Sequence, residues 1–403
     1  MMEQNNVSLT TALNHDCLRE IVHYLKLDDA ISFADCCKCM KLVANDKFRK
    51  YKHYNLDRTQ FLKGVIHTNN LISHIGPHLS ALTICLYEFN LNLSRFLKII
   101  DRKCTQLKRL QIEYSEREAA DQVPLTYNFE TVQTLTLIHF NSTSTRGLLQ
   151  SFRHLEQLCF QQCFISEEES MALIHNNPRI ESFLCVDLRC FNILPPNVQE
   201  LSIENRNLDL LPNVCTLNFL TSLHLDCLGK NITSPLRELA KRGIMKEMDL
   251  ENINIDDEFF DFVAQFGKMQ LLQIDHYRVT EQGAYEGSSG FKRLKPKIVW
   301  PTELSILQLK GFEFTLDDVT DIVRQLISLQ ALDLYQSQFA KSDSSYYPDI
   351  RMFFNKITSR IIDVVESSDG KQCREICLPG FVDIEDSGKM YLLDMKRIKI
   401  CTY

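Results

Sequence analysis

The sequence predicts an α/β fold: a repeat solenoid with a curved parallel sheet inside and helices outside, preceded by a small three-helix domain. Three observations predict it. The 403 residues include 54 leucines against only 13 glycines and 11 prolines, too few turn formers for a turn-rich β-barrel or a collagen-like chain. The leucines recur in one pattern, L-x-x-L-x-L, with Ile, Val, Met, Phe or Cys substituting. The first fifty residues lack that pattern and show helical spacing instead.

The clearest copies of the pattern begin at Leu107, Val132, Leu155, Val198, Leu220, Met245, Met269, Leu304 and Leu329, with weaker ones at Leu79, Ile180 and Cys373. Successive starts lie a median of 25 residues apart, with extremes of 18 and 44. In several repeats the short strand is followed by a segment with readable helix ends. Ser166 and Glu169 fit a capping box, and Pro178 comes just after the expected stop. Ser234 precedes Pro235, placed to open a helix that Gly243 closes. Asp256 opens a stretch through Phe259, Phe260, Val263 and Phe266, and Thr315 pairs with Asp318 ahead of Val319, Ile322, Val323 and Leu326. One strand–turn–helix unit cannot bury its apolar face alone, but stacked units share a continuous core. On these copies the chain resembles the leucine-rich repeat family, of the longer helix-containing kind, over about residues 79–381. The copy Leu155-x-x-Leu158-x-Phe160-x-x-Cys163-x-Ile165 carries Cys where the longer consensus has Asn or Cys.

The array is expected to span 51–400 as about 12–13 repeats, beginning with a strand at Tyr51, Tyr54 and Leu56. Two long gaps read as surface insertions, near 281–297 and 340–370. The first is Gly-rich and then basic (Lys292, Arg293, Lys295, Lys297). It lacks the G-x-x-x-x-G-K-[ST] spacing of a phosphate loop, so a solvated basic loop is expected.

Residues 9–50 are expected to form the separate helical domain. Leu18, Ile21, Val22 and Leu25 share one helical face. Asp28 or Asp29 can cap a second helix through Ile31, Phe33, Ala34 and Cys37, and Met40, Leu42, Val43 and Ala44 suit a short third. This order resembles the F-box, whose pattern is matched at Leu13, Leu18, Ile21, Tyr24, Leu25, Leu27, Asp29, Cys37 and Lys38. Asn14, Ala30 and Met40 stand where that family has Pro, a large apolar residue and Trp. A helical cap sealing the first repeat is the alternative.

The joint resemblance to F-box proteins with leucine-rich repeats implies a substrate-recognition subunit of a cullin–RING ubiquitin ligase. Leu13, Leu18, Ile21, Leu25, Leu27, Cys37 and Lys38 would then contact a Skp-type adaptor that joins the cullin complex, and the array would hold a protein substrate. The alternative is a leucine-rich repeat scaffold or regulator without ligase association. In neither case is the chain an enzyme: H-E-x-x-H, G-x-S-x-G and the kinase set are all missing, and no cofactor is expected.

Charge and cysteine usage agree. With 45 Lys+Arg against 52 Asp+Glu the formal charge is −7, which disfavours a nucleic-acid binder. Apolar runs are too short to span a bilayer, so no membrane is expected. Residues 1–12 lack a charged n-region and an apolar h-region. With 15 cysteines, the expectation is a reduced cytoplasmic or nuclear setting. Asn92, Asn141 and Asn231 then match N-x-[ST] by chance. Cys36, Cys37 and Cys39 lack the separated ligand pairs of structural zinc, and no metal is expected.

Strand geometry selects the partner-facing residues. Around the buried positions of L-x-x-L-x-L, alternate residues point to the concave sheet surface. From Val198 to Met269 these are Glu200, Ser202, Glu204, Ser222, His224, Asp226, Glu247, Asp249, Glu251, Leu271, Gln273 and Asp275, of which seven of 12 are acidic. Glu200, Glu204, Asp226, Glu247, Asp249, Glu251 and Asp275 are therefore the predicted substrate-binding residues, suited to a basic segment of a protein.

Overall fold

The computed structural model describes residues 14–85, 93–114, 127–142, 147–187, 193–204, 211–226, 231–276, 291–334 and 337–339, and four strands between 373 and 401. Two compact units emerge, Met1–Ile180 with Leu188–Phe191, and Glu181–Asp187 with Asn192–Tyr403. The expected insertion at 340–370 and most of the one at 281–297 lie outside the described residues.

The first unit opens with α1 (His15–Tyr24), α2 (Leu27–Cys36) and α3 (Lys38–Phe48). Asn14 caps α1, its side-chain oxygen accepting the Cys17 N–H at 2.8 Å, which gives the non-Pro residue at this position a structural reason. The residue before α2 is Lys26, with no side-chain cap; Asp28 and Asp29 lie in its first turn instead, where carboxylates favour the positive end of the helix dipole. Lys47 closes the far end of α1. Its ammonium donates to the carbonyls of Val22 at 3.0 Å, His23 at 3.3 Å and Leu25. Lys47 thus supplies donors to the last carbonyls of the helix, where helical hydrogen bonds run out, sharing the Val22 carbonyl with the Leu25 N–H.

The three helices are fastened to the next elements of the first unit. After β1 (His53–Leu56) and α4 (Arg58–Leu62) comes α5 (Val65–Ile75). Asp35 at the end of α2 accepts from Asn70 at 2.8 Å and pairs with His74 Nε2 at 2.9 Å. The Asn70 hydrogen bond leads in holding its carboxyl below the usual range, with His74 adding to it. The Phe48 and His74 rings lie 5.2 Å apart. Leu18, Val22, Ile31, Val43, Phe48, Leu71 and Ile75 are all buried.

Strands β1, β2 (Ala81–Cys85), β3 (Arg109–Glu113), β4 (Thr134–Ile138) and β5 (Gln157–Gln161) pair in parallel and in register. Between them lies α6 (Leu93–Lys103), and after β5 comes α7 (Glu167–Asn176). Strands β2 to β5 each start two residues after the first apolar position of their copy, and those positions (Leu79, Leu107, Val132, Leu155) are all at most 1% exposed. Cys163 takes the expected consensus position. It is buried, and its thiol donates to the Leu137 carbonyl of the preceding repeat at 3.2 Å. Ser166 caps α7 at the Glu169 N–H, but the Glu169 carboxylate reaches back to the Gly147 N–H at 2.8 Å. The predicted capping box is thus opened in favour of a contact between neighbouring repeats.

The second unit repeats the plan. β6 (Ser182–Val186), β7 (Glu200–Glu204), β8 (Ser222–Asp226), β9 (Glu247–Glu251), β10 (Leu271–Asp275), β12 (Ile306–Lys310), β14 (Ala331–Asp333) and β16 (Cys373–Cys377) run parallel, and β19 (Arg397–Cys401) closes the edge antiparallel. The intervening helices are α8 (Leu211–Val214), α9 (Thr233–Ala240), α10 (Asp257–Phe262) and α11 (Leu316–Gln325). Asp256 caps α10, and Thr315 with Asp318 forms a full capping box on α11. α9 differs from expectation: it starts at Thr233, with Ile232 rather than Ser234 at the cap position, and Asn231 accepts the Thr233 N–H at 2.9 Å. Pro235 therefore sits in the first turn, where its missing N–H removes no helical hydrogen bond.

The basic stretch after residue 290 is built into the fold rather than looped out. β11 (Lys292–Arg293), β13 (Phe312–Phe314) and β15 (Gln338–Phe339) form a small parallel sheet. Lys292 pairs with Asp257 at 3.2 Å, Arg293 with Asp318 at 3.7 Å, and Lys295 with Asp261. β17 (Val382–Ile384) and β18 (Met390–Leu392) form a separate antiparallel pair.

One backbone feature repeats. His139, Gln162, Asp187, Asn252 and Gly311 each come directly after the last residue of a strand, with φ between 47° and 78°. At these five strand ends the chain turns through a left-handed residue, which ordinary side chains adopt only at a cost.

Candidate functional site

The structure separates the residues expected to meet an adaptor. Leu18 is 1% exposed and belongs to the helical core, so it cannot be a surface anchor. Ile21 at 41% and Tyr24 at 81% exposed face outward from α1. Leu25 and Leu27 are half-buried, and Lys38 is exposed. Cys37 is the cap of α3, its sulfur accepting the Met40 N–H at 3.5 Å. Leu13 lies outside the described residues. The spacing of α1 is amphipathic, but it does not distinguish the stripe facing α3 from the residues beside it.

The acidic residues, by contrast, come together. On β7 to β10 the burial alternates along every strand, with Leu201, Ile203, Leu223, Leu225, Met248, Leu250, Leu272 and Ile274 inward. The intervening residues form the open face of the sheet. Register aligns them in rows across the strands. One row runs Glu200, Ser222, Glu247, Leu271; the next runs Ser202, His224, Asp249, Gln273. A third places Glu204 opposite Asp226 and Asp226 opposite Glu251, and Asp275 opposite Lys310. Neighbouring strands lie about 4.8 Å apart, so these charges interact within the roughly 8 Å screening length of physiological salt.

His224 sits in the middle of this surface. Its Nδ1 lies 3.0 Å from Asp249 Oδ2 and its Nε2 3.6 Å from Glu204 Oε1. The Asp249 hydrogen bond, outweighing burial, raises the imidazole pKa above its ordinary value. Burial pushes the Glu251 carboxyl up, and the Asp249 charge adds to it. Asp275 is also raised, first by burial, against the pull of Lys310 and with the repulsion of Asp249 and Asp226. Asn252 donates to Asp226 at 2.9 Å and Ser222 to Glu247 at 3.4 Å. His224, Asn252 and Lys310 are members of this site beyond the predicted carboxylates. His224 and Lys310 can be found from strand alternation alone, but their partners Glu204, Asp249 and Asp275 lie in neighbouring repeats and appear only once the register is known.

Parallel strands spaced by one repeat, buried pattern positions, and short helices or turns in the described return segments define a leucine-rich repeat solenoid. No protein-family model matches the chain, and no curated protein matches it. Among solved structures, an internalin from Listeria monocytogenes is similar over 88% of this chain and 93% of its own, with 12% sequence identity and a TM-score of 0.39. Among the described residues no helix is long and apolar enough to cross a membrane.

Proposed function

We propose that the chain is a non-catalytic interaction protein whose acidic face on β7 to β10 receives a Lys- or Arg-rich segment of a protein partner. One observation carries this reading: Glu204, Asp226, Glu251 and Asp275 project from four successive strands on one face, where His224 and Lys310 are the nearby cationic groups. Such a surface focuses negative potential and repels nucleic acid. The test is fluorescence anisotropy with a Lys/Arg-rich peptide and a Glu-rich control at low and high salt. The reading expects binding of the basic peptide alone, weakened by salt and by Glu247→Lys with Asp249→Lys. Binding indifferent to both would overturn it.

A second, finer reading makes the same chain a substrate-recognition subunit of a cullin–RING ligase in the cytoplasm or nucleus. The F-box resemblance of the first helices supports it, together with the outward Ile21 and Tyr24 on α1, since interfaces rest on a few apolar or aromatic anchors. The ubiquitination chemistry would belong to partner subunits. Pull-down with a purified Skp-type adaptor tests it. Capture by the wild type and its loss in Ile21→Asp with Tyr24→Asp is expected. No capture, or capture undiminished by the double variant, returns the chain to the first reading.

A further inference from the structure

We propose that His224, Asp249 and Glu251 form a binding site for one divalent transition-metal ion on the open sheet face. The site goes beyond peptide docking and does not depend on it. His224 and Asp249 are register partners on β8 and β9, and Glu251 comes two residues after Asp249 on the same face of β9. One ligand atom from each of the three residues lies within 4.8 Å of the other two. A metal bonded at about 2.1 Å holds ligands up to about 4.2 Å apart, so the flexible Glu251 side chain needs to move only slightly.

Three further features point to a cation of this class. One Asp249 carboxylate oxygen, Oδ1, is shielded from solvent and has no hydrogen-bond partner among the described residues. A shielded carboxylate lone pair without a donor is costly, and a metal ion would satisfy it. The second feature is the far side of the imidazole. With Nδ1 toward Asp249 and the ion, Nε2 faces Glu204 Oε1 at 3.6 Å. A carboxylate behind a histidine ligand orients the ring and fixes its tautomer. The third is the ligand set: an imidazole with two carboxylates suits Zn2+ or Co2+, whereas Ca2+ and Mg2+ take oxygen ligands. Crowding acts in the same direction. Asp249 and Asp226 both repel the Glu251 and Asp275 carboxylates, and two positive charges relieve that repulsion.

The experiment is titration of the full chain with Co2+ alone near neutral pH, read by calorimetry and visible absorption. Cysteine-bound Co2+ gives intense thiolate charge-transfer bands, so spectra separate this site from the cysteines. The expected result is one Co2+ per chain without those bands, with affinity falling at least about tenfold in His224→Gln and in Asp249→Asn, and less in Glu204→Gln. Circular dichroism checks that each variant is folded, and Glu251→Gln is the replacement should one of them not be. Absence of Co2+ binding, binding only with thiolate bands, or unchanged affinity in folded His224→Gln and Asp249→Asn would each overturn the proposal.

Discussion

The side-chain oxygen of Asn177 accepts the backbone N–H of Leu155 at 2.9 Å, while its amide donates to the carbonyls of Phe152 at 2.9 Å and Leu173 at 2.8 Å. Asn177 is 1% exposed, so these groups have no water to turn to. One residue thereby completes the end of α7 and the approach to β5. Asn177→Leu keeps similar bulk but leaves the Leu155 N–H and two carbonyls unpaired, at about 1–3 kcal/mol for each unsatisfied buried group. Urea unfolding should show the first unit destabilised by about 3 kcal/mol or more; a loss below about 0.5 kcal/mol would show that the network is replaceable.

Asp256 joins two repeats in the second unit. Its carboxylate accepts from the Phe259 N–H at 3.2 Å, Asn231 Nδ2 at 2.8 Å and Thr233 Oγ1 at 2.9 Å. Burial raises its pKa, but these donors and Lys292 more than offset that and leave it below the ordinary value. A carboxyl with a depressed folded-state pKa stabilises fully above its unfolded pKa of about 3.9, and that contribution is lost as pH falls through the folded value. Asp256→Ala should cost about 1–2 kcal/mol at pH 7. The difference between wild type and Asp256→Asn should shrink below about pH 4. A difference that stays constant down to about pH 3 would contradict the assignment.

Much of the architecture is legible from the leucine period because each pattern position has the same task in every repeat. Leu107, Leu220 and Leu304 are buried for one reason, so one rule locates the strands. Capping is legible at Asp256 and Thr315, where the signal lies within four residues. It fails at Glu169 and Ser234, where contacts or local turns outside that window decide the outcome. The acidic residues of the open face can be named from alternation, but the pairing of His224 with Asp249 cannot, since 25 residues separate them. Leu18 reads as a surface anchor in the sequence because periodicity gives a stripe, not which part of it is covered.

The burial of Leu18 is itself measurable. Leu18→Ala removes a buried side chain between α1 and its neighbours and should cost about 2–5 kcal/mol. Ile21→Ala, one turn along and exposed, should change stability by less than about 1 kcal/mol. Thermal unfolding of both variants checks the pair; equal losses would mean that Ile21 is also core.

The thiols offer a mapping of burial without mutation. Burial pushes Cys104 up to about 12 and Cys163 up to about 11, whereas Cys17 and Cys36 are exposed. Alkylation needs the thiolate and access to it. Mass spectrometry after brief labelling of the native chain at about pH 8 should find Cys17 and Cys36 modified first. Cys104 and Cys163 should stay unlabelled until denaturant is added, and early labelling at Cys163 would contradict its place under the Leu137 carbonyl.

Gly311 tests the left-handed turn found after five of the strands. Its φ of 78° is one that side chains rarely adopt, and a Cβ there would fall inside the van der Waals surface of the His276 carbonyl. His276 occupies the equivalent place after β10, and its N–H donates to the Lys310 carbonyl at 2.9 Å. The two backbones are therefore held too close for any side chain. Gly311→Ala combines a left-handed penalty of about 1–2 kcal/mol with a forced shift of about 1–3 kcal/mol more. Gln162→Gly, at a φ of 52° in the first unit, relieves the same backbone penalty with no clash and should be neutral or stabilising. Opposite signs for these two substitutions in thermal unfolding would establish that the left-handed conformation is a backbone requirement at these turns, and a tolerated Gly311→Ala would refute the close approach to His276.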